Sequence, residues 1–475
     1  MGARLRQSRP HNRGLPKRPG VRVRSRASVR RAPAFKLALA GLLIVVALAV
    51  GISFGIQLLF PAQTSFDSKS PGVFLQSGDV SDEKSAAESG PSETASSKLA
   101  GSTERIDEHG IVHGVTPEGI AYTVRGRGEA ALQPDKVTLA AVGDQVVSQN
   151  CYLLADAYAG ESGDGVYSFT EWYQEIGSYL RQSDLRYMNH ENVTATSLGY
   201  EVSGYPMFNA PDSSIDAVAS EGFNLVNFDS NHIYDKGSEG IEATHEVFAR
   251  YPEILVGGSY LTREDRETVH MIERNGMTFA LLGYCYGFNG MEPANEYYAC
   301  GFDEGLVRAD VARAQQVADA VIVAMHWGTE YHTEINDEQV YWAGVLADLK
   351  VDLVLGSHAH SIQPVEYVAG SEGVSVPVVF GLSDIVSGWT LTDTIFSTVL
   401  TCDFVRQSDG SVAVENLLWH PAIEWSDGGD VYVRLLEHMS DEEIQANTRT
   451  PDVEDDVAHL HDMVDSTIVQ IPSAW

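Results

Sequence analysis

Short apolar runs rich in β-branched residues recur from residue 137 onward, and amphipathic stretches lie between several of them. Runs of this kind are typical of buried strands, and apolar residues three or four positions apart indicate one face of a helix. The runs are VTLAAV (137–142), FNLVNF (223–228), TFALLG (278–283), AVIVAMH (320–326) and VDLVLG (351–356). Helical spacing precedes the last two runs, at Val307, Val311, Ala314 and Val317, and at Val340, Ala343, Leu346 and Leu349. Alternating strands and helices predict an α/β layered domain.

The segments on either side of this pattern have a different character. Before it, Gly-rich turns separate the β-prone pieces IVHGV and IAYTV, which predicts a small β segment over residues 106–136. Strand-like runs dominate after Pro377, which predicts a second sheet. We therefore assign the main domain to residues 137–425 and an acidic C-terminal extension to residues 426–475.

The first 105 residues have the composition of a membrane anchor with its flanking segments. Residues 37–60 contain only Ser53 and Gln57 as clearly polar side chains, and such a helix crosses a hydrocarbon core of about 30 Å. A secretory signal peptide is the alternative, although its apolar region is usually shorter, roughly 7–15 residues. Residues 1–36 carry ten Arg, two Lys and no acidic residue, which predicts a cytoplasmic N-terminus. Residues 61–105, with eleven serines, are typical of a flexible linker, so we expect the main domain to be extracytoplasmic.

The charge of the chain is distributed unevenly. Its 475 residues carry a net charge of −34, from 32 basic and 66 acidic residues. Beyond residue 36, the remaining 20 basic and 66 acidic residues give a net charge of −46. An acidic body of this kind repels nucleic acid and anionic lipid, which argues against nucleic acid as a partner. Solubility, with adaptation to salt, is the simplest interpretation of the charge.

The four cysteines lack the spacing of a metal site. Cys151, Cys285, Cys300 and Cys402 form no CxxC pair, which disfavours a zinc–thiolate centre. Outside the membrane a disulfide is allowed, and Cys285 and Cys300 are the closest pair in sequence. A Cys285–Cys300 bridge and buried free thiols are therefore the two alternatives.

Residues that bind metals or transfer protons follow several of the predicted strands. In open α/β sheets, ligands collect beyond the carboxyl ends of strands. A lone histidine is usually structural, but four histidines at strand exits, together with Asp and Asn, predict a metal site. These residues are Asp144, Asn231, His232, His326, His358 and His360.

The residue types indicate the class of metal. Imidazoles with carboxylate and amide oxygens suit Mn, Fe, Zn or Co. His358 and His360 straddle one residue, so an extended chain projects both to the same side. On a tight loop they would instead serve two adjacent ions, and two ions about 3.5–4 Å apart clamp a phosphoryl group. The sequence therefore predicts one or two divalent ions.

Five blocks carry a family resemblance. They are AVGDQVVSQ (141–149), SDLRYMNHENVT with Asn189 and Glu191, SNHIYDKG (230–237), MHWGTEYH (325–332) and LGSHAHSIQPVE (355–366). Singly each block is weak, but their order over residues 137–420 resembles the CapA/PgsA family of poly-γ-glutamate capsule synthesis proteins. That family is similar to calcineurin-like metallophosphoesterases. The resemblance implies a four-layer αββα metallophosphoesterase-like sandwich.

The resemblance also implies roles for individual residues. Asp144 would hold one ion, and Glu191 stands where phosphoesterases place a bridging carboxylate. His232 would donate a proton to a leaving group, with Asp235 orienting it, since the pKa of an imidazole lies near operating pH. The other implied metal ligands are Asn231, His326, His358 and His360, and the implied supporting or substrate contacts are Glu330 and Gln363.

Two departures from the pattern matter. Val146 stands where phosphoesterases place the histidine of D-x-H, a loss that the CapA family shares, so we expect one weakened metal position. Ser383 and Asp384 replace the Gly and Asn of the family's SLGN block. A carboxylate at position 384 is expected to change a substrate contact or to add a ligand.

The resemblance and the anchor favour a capsule or envelope polymer factor. It would act beside a membrane-embedded polymer synthase complex, on an anionic polymer such as poly-γ-glutamate or on its attachment to the wall. One alternative is an extracytoplasmic metal-dependent phosphoesterase acting on phosphate-containing envelope substrates. The other is a non-catalytic assembly module with a degenerate metal site.

Overall fold

The structure, a computed structural model, describes residues 97–129, 132–133, 135–389, 392–449 and 453–475. The predicted basic tail, the membrane span at 37–60 and most of the linker lie outside these residues. Within the described ranges, no helix combines the length and the apolar character that a membrane crossing requires.

The described residues form two β-sheets. The strands are β1 Thr103–Ile106, β2 Val112–Val115, β3 Ala121–Arg125, β4 Lys136–Gln145, β5 Leu185–His190, β6 Leu225–Asn227, β7 Leu255–Gly257, β8 Val269–Arg274, β9 Met277–Cys285, β10 Ala320–His326, β11 Leu353–Ser357, β12 Val365–Ala369, β13 Ser375–Val379, β14 Asp384–Val386, β15 Phe396–Arg406, β16 Val412–Trp425 and β17 Tyr432–Leu435. In this part of the chain the larger sheet has the order β1-β2-β3-β8-β9-β10-β11-β13-β12. The smaller sheet has the order β17-β16-β15-β4-β5-β6-β7, with β14 paired to β4.

Helices connect many of these strands, and several begin at a side chain that caps them. The Ser148 hydroxyl accepts the Cys151 N–H, and Asn336 and Gln339 form a reciprocal capping box. The α-helices are α1 Gln149–Ala159, α2 Ile176–Leu180, α3 Ser213–Ser220, α4 Gly237–Phe248, α5 Arg263–Glu267, α6 Glu304–Val317, α7 Asp337–Asp348, α8 Thr392–Ile395, α9 Asp441–Gln445 and α10 Val453–Thr467. Short 3-10 turns span Ser97–Leu99, Thr170–Tyr173, Thr196–Leu198 and Leu436–His438.

Alternate residues of a strand face opposite sides of its sheet, and this alternation builds the layers. In β6, Leu225 packs into the core between the sheets, whereas Val226 packs into the core that includes α3 and α4. In β10, Ile322 joins the inter-sheet core, whereas Val323 packs with the buried faces of α6 and α7. Helices therefore cover the outer face of each sheet, and the predicted mixed α/β architecture is confirmed.

Parallel pairing places several strand ends at the same edge. Strands β4, β5, β6 and β7 are parallel neighbours in the smaller sheet, and β9, β10 and β11 are parallel neighbours in the larger sheet. The loops that follow these strands consequently meet, and they carry the polar residues singled out in the sequence.

One detail of the predicted elements is wrong. In α7, Val340 is exposed, because the helix buries the face that contains Gln339, Trp342 and Leu346. The second sheet predicted after Pro377 is present, because β15 joins the smaller sheet through β4, although β13, which contains Pro377, joins the larger sheet through β11.

The predicted domain boundaries also shift. The small β segment starts at β1, inside the predicted linker, and β3 pairs in parallel with β8 to extend the larger sheet. The predicted extension, residues 426–475, contributes β17 to the smaller sheet. Its residues Leu460, Val464 and Ile468 are buried in the inter-sheet core. Both segments are therefore integral to the domain, because each completes a sheet or a core.

The cysteines are free and buried. The Cys285 N–H donates to the Cys300 carbonyl at 2.9 Å, so the two backbones are neighbours. The thiols nevertheless pack into different clusters, Cys285 with Phe288 and Cys300 with Tyr284. The structure therefore shows free thiols, and the Cys285–Cys300 bridge is not formed.

Candidate metal centre

Buried carboxylates and imidazoles meet where β4, β5, β10 and β11 end. Among the described residues, three overlapping groups hold their ligand atoms within 4.8 Å of one another. The groups are Asp144–Glu191–His326, Glu191–His358–His360 and Asp144–His360–Asp384. We call these residues the carboxylate–imidazole cluster, and all of them are buried. Tertiary structure thus brings together the five predicted carboxylate and histidine ligands, with Asp384 added.

Asp144 is anchored from three sides near the end of β4. Its N–H donates to the Ser383 carbonyl at 2.8 Å. Its Oδ1 accepts from Asn189 Nδ2 at 2.6 Å, and its Oδ2 accepts from the His358 N–H at 2.9 Å. Gly143 permits this approach, because a Cβ there would overlap the Ser383 carbonyl oxygen. The carboxylate therefore has a fixed orientation before any ligand binds.

His326 ends β10 and has a close neighbour at each ring nitrogen. Its Nδ1 lies 2.9 Å from Ser357 Oγ, and its Nε2 lies 2.9 Å from Asn231 Oδ1. Glu191 Oε1 is 3.5 Å from the same Nε2. Asn231 Nδ2 donates to Asn289 Oδ1 at 3.3 Å, so the amide oxygen is the atom that faces His326. This oxygen is the atom through which Asn231 would coordinate a metal ion in its predicted role as a ligand.

The two histidines of the HxH motif lie on a tight loop. His358 and His360 have φ angles of 86° and 51°, in the left-handed region that non-glycine residues rarely adopt. The Tyr331 N–H donates to the Ala359 carbonyl between them at 2.7 Å and ties this loop to the one after β10. Each such conformation costs about 1–3 kcal/mol and persists where surrounding contacts enforce it. The tight-loop alternative therefore holds, and the extended one does not.

Asp384 lies inside the cluster. Its Oδ1 is 2.7 Å from His360 Nδ1, although the two residues are 24 positions apart. Strand β14 places Asp384 directly opposite Asp144 of β4. The departure at Ser383 and Asp384 thus puts a third carboxylate in the cluster, where the family pattern has an amide.

The charges in the cluster are strongly coupled. Burial raises the pKa of Asp144 well above its usual range, and the charges of Glu191 and Asp384 raise it further. Burial also opposes ionisation of Glu191, but the imidazoles of His326 and His360 outweigh it, so the pKa of Glu191 is lowered. Burial lowers the pKa of His360, yet Asp384 and Glu191 outweigh it and the net shift is upward. The cluster consequently retains protons that a bound cation would displace.

His232 and Asp235 form a bonded pair in the loop between β6 and α4. His232 Nδ1 is 2.8 Å from Asp235 Oδ2, which also accepts the Phe208 N–H at 2.6 Å. The Phe208 ring packs edge-on against the imidazole, with centroids 4.6 Å apart. Burial lowers the pKa of His232, but the Asp235 hydrogen bond and the charge of Glu191 outweigh it and the pKa is raised. The geometry suits a proton donor whose ring is held by a carboxylate.

The two remaining predicted contacts lie outside the cluster. Glu330 is exposed in the loop after β10. Gln363 Nε2 donates to the carbonyls of His332 at 3.0 Å and Glu334 at 3.2 Å, and its Oε1 accepts from Gln339 Nε2 at 2.7 Å. Because both ends of its amide are bonded within the protein, Gln363 supports this loop and presents no free group to a substrate.

Sequence reasoning missed a row of amides beneath the cluster. Asn227 Nδ2 donates to Asn189 Oδ1 at 2.7 Å, and Asn189 Nδ2 in turn donates to Asp144 Oδ1 at 2.6 Å. A Cβ at Gly283 would overlap the Asn227 side chain, so a glycine accompanies this row as well. The available signal was the position of both asparagines at strand ends, and of Asn189 in the N-x-E block.

Aromatic rings lie next to the cluster histidines. Tyr286 lies 4.6 Å from the His358 ring, and Tyr331 and Trp389 lie 5.7 Å and 6.3 Å from the His360 ring. Tyr286 and Tyr331 are 38% and 44% exposed, so these rings lie where the surroundings of the cluster reach solvent.

The sequence of this chain matches that of a known protein family. The family described as bacterial capsule synthesis protein PGA_cap matches residues 138–388, more than half of the 475-residue chain and every residue of the cluster. The chain belongs to the PGA_cap family. The assignment made from the five sequence blocks is confirmed.

Relatives of this PGA_cap chain carry capsule-related names. The PGA biosynthesis protein CapA of Bacillus subtilis (strain 168) is 26% identical over 225 residues, covering 46% of this chain and 58% of that protein. The capsule biosynthesis protein CapA of Bacillus anthracis is 23% identical over 269 residues, covering 54% of this chain and 62% of that protein. The chain thus spans about six-tenths of each relative's length. Among solved structures, the NAD nucleotidase NadN of Haemophilus influenzae aligns with a TM-score of 0.37 and 10% identity, covering 70% of this chain and 59% of that one.

The donor set of this PGA_cap chain fits divalent metal ions. Glu191 Oε2, His358 Nδ1 and Asp384 Oδ2 are buried and have no hydrogen-bond partner among the described residues. Buried polar atoms are nearly always bonded, so three unbonded ones in a single cluster are available as donors to a cation. Carboxylate oxygens with imidazole nitrogens suit Mn, Fe, Zn or Co. Val146 is buried and apolar and supplies no donor at the position of the phosphoesterase histidine.

Proposed function

We propose that this chain is a membrane-anchored, extracytoplasmic, metal-dependent protein that acts in the synthesis, export or anchoring of an envelope polymer such as poly-γ-glutamate. One observation carries the proposal: the family match spans the strand ends that build the carboxylate–imidazole cluster. The names of the CapA relatives support the polymer context.

In this proposal the cluster holds the metal and His232 moves the proton. The metal ligands are Asp144, Glu191, Asn231, His326, His358, His360 and Asp384. Bound divalent ions would supply Lewis-acid polarisation of a phosphoryl or carbonyl oxygen. His232, held at Nδ1 by Asp235, retains a proton for a leaving group. The two sheets with helices on their outer faces support a metallophosphoesterase-like scaffold for this chemistry.

The acidic body limits where an anionic polymer makes contact. Beyond residue 36 the chain has 20 basic and 66 acidic residues, which repel a polyanion. Divalent cations held by the carboxylate–imidazole cluster would offset this repulsion locally. We therefore place polymer contact at the metal centre, beneath the aromatic rings of Tyr286, Tyr331 and Trp389, with a membrane-embedded polymer synthase complex as the partner.

The proposed topology is testable on cells. The apolar span at 37–60 follows a basic segment, so we expect residues 1–36 to stay cytoplasmic and the domain to face outward. Protease added to cells stripped of wall should remove the chain after about residue 61 and leave a small membrane-bound fragment. A domain that stays protected, or a mature chain that starts after Phe60, would contradict the anchor.

The proposed role in polymer production rests on the charge of Glu191. Glu191→Gln keeps the shape of the side chain but removes a buried carboxylate that belongs to two of the three ligand groups. Cells carrying this variant should lose wall-associated polymer, measured as hydrolysable glutamate or as stained capsule. Glu338→Gln, at an exposed carboxylate on α7, is the matched control and should leave polymer at the parent level. If the Glu191→Gln strain makes normal amounts of polymer, the metal-dependent role is contradicted. A non-catalytic assembly module would then describe the protein better.

A phosphoesterase acting on envelope substrates is the second candidate. The observation that favours it is the His232–Asp235 pair next to the cluster, since a held imidazole suits a phosphate-ester leaving group. The missing donor at Val146 weighs against it. Hydrolysis of simple phosphate esters by the purified protein, set beside polymer levels in cells, separates the two candidates.

A further inference from the structure

A cavity lies where the antiparallel pair β2–β3, which we call the N-terminal hairpin, meets α4 and β7. Its volume is about 290 Å³, and its lining shares no residue with the carboxylate–imidazole cluster. Helix α4 begins just after the His232–Asp235 loop and reaches this cavity with His245 and Phe248 near its far end. Eight residues of helix separate Gly237 from His245, a rise of about 12 Å. The cavity is therefore a site distinct from the metal centre.

Arg125, the last residue of β3, brings a guanidinium to this cavity. Its Nε donates to the Pro252 carbonyl at 3.1 Å. Its Nη1 is buried and has no hydrogen-bond partner in the described ranges, where Arg125 also lacks an ion pair within 4.0 Å. Other arginines nearby are paired, Arg127 with Glu104 and Arg266 with Asp310. In so acidic a chain, a buried guanidinium nitrogen without a partner requires an explanation.

The nearby carboxylates of Asp265 and Asp107 do not serve as the partner of Arg125 Nη1. Asp265 lies 3.0 Å from His270 Nε2 through Oδ1, and its Oδ2 accepts the Leu261 N–H at 3.0 Å. Asp107 accepts two backbone N–H groups and contacts the His113 ring. Burial lowers the pKa of Arg125, and the charges of Asp265, which also lines the cavity, and of Asp107 oppose that shift. An external anion is the group that would satisfy Nη1.

The other residues that line the cavity indicate the chemistry of the rest of the ligand. Ile111, Phe248, Ile254 and Val256 give the cavity an apolar surface that a bare inorganic ion would leave unused. Burial lowers the pKa of His245 to about 4, so this imidazole, 2.9 Å from Ser259 Oγ, is a neutral partner. The volume is at the low end of small-molecule sites, which start at about 300 Å³.

We propose that this cavity is a binding site for a small organic monocarboxylate, with its carboxylate on Arg125 and its apolar body against Ile111, Phe248 and Val256. Arginine suits this ligand because its planar guanidinium matches a carboxylate in geometry as well as in charge. The predicted small β segment supplies Arg125 and thereby has a binding function in this proposal. It stands apart from the proposed polymer function.

Calorimetric titration of the purified full-length protein tests the site. Hexanoate should bind saturably at constant ionic strength set with NaCl, and inorganic phosphate should bind more weakly. Arg125→Met should weaken hexanoate binding roughly 10- to 100-fold, the range for a lost charge-assisted hydrogen bond. Arg105→Met, at an exposed arginine on β1 of the same sheet, is the matched control and should bind like the parent.

A second variant guards against misfolding of Arg125→Met. Ala249 is exposed at the end of α4 and lines the cavity, so Ala249→Trp fills the space without disturbing the core. It should also abolish binding, whereas the double variant His358→Ala/His360→Ala should keep it. No saturable hexanoate binding to the parent, or unchanged binding in both Arg125→Met and Ala249→Trp, overturns the proposal. Phosphate binding as tight as hexanoate overturns the assignment to a carboxylate.

Discussion

Replacing His358 and His360 together by alanine should strip the protein of its divalent metal. His360 belongs to two of the three ligand groups and His358 to one of them, so the double variant leaves only Asp144–Glu191–His326 complete. Loss of even a supporting residue costs about 10–100-fold in metal affinity, and loss of two donors should exceed that. Elemental analysis of the purified full-length protein gives the metal content directly. We expect bound metal in the parent and none above background in the variant.

Two controls make this result specific. His332 and His438 are exposed histidines outside the cluster, and their double alanine variant should hold as much metal as the parent. A ligand that binds only the folded state raises the melting temperature, so a chelator should lower that of the parent and leave the His358/His360 variant unchanged. A variant that retains the parent's metal content would show that the ligand assignment is wrong.

Replacing His232 by alanine should abolish activity while the metal stays bound. The imidazole is held by Asp235 and its pKa is raised, which suits a group that donates a proton and does not principally coordinate metal. General acid catalysis contributes roughly 10²–10⁴-fold, so activity should fall by that factor. The measurement pairs polymer production in cells with hydrolysis of simple phosphate esters by the purified protein.

Asn231→Ala is the matched comparison for His232→Ala. Asn231 is adjacent in sequence, but its Oδ1 faces His326 Nε2 at 2.9 Å, so its loss should reduce metal content first. Polymer loss without ester hydrolysis in the parent favours the capsule role, and ester hydrolysis that disappears with His232 favours the phosphoesterase. If His232→Ala, Asn231→Ala and the His358/His360 variant all sustain normal polymer, the site has no chemical role.

The sequence predicted well those strands that consist of a continuous apolar run. The runs that became β10 and β11 are continuous and apolar because both faces of those strands are covered, and their ends were readable as site positions. The pattern was less reliable in α7, where Val340 is exposed and the polar Gln339 is buried. The buried Gln339 amide is bonded at both ends, since its Oε1 accepts the Asn336 N–H of the capping box and its Nε2 donates to Gln363. The contact with Gln363 is one that no local pattern encodes.

Two predicted segments associate more closely with the main domain than their patterns indicate. Residues 106–136 and 426–475 have weak patterns and were set apart as accessory segments. In the structure, β3 finds its partner in β8 and β17 in β16. The partners β3 and β8 are far apart in sequence, and such pairing depends on which strand edges are available after the sheets assemble, which a single chain's composition does not report. Strand β17 instead forms a local antiparallel pair with β16.

The sequence by itself determined the family, the α/β alternation and the presence of carboxylate and imidazole side chains at strand exits, since blocks such as HxH and N-x-E carry these residues locally. Only the tertiary structure decided how those residues meet. Asp384 reaches His360 because β14 pairs with β4, and Arg125 reaches a cavity because the N-terminal hairpin extends the larger sheet beside α4. The physical reason is that strand pairing and burial set distances between side chains far apart in the chain, and those distances determine which groups share a ligand or a proton.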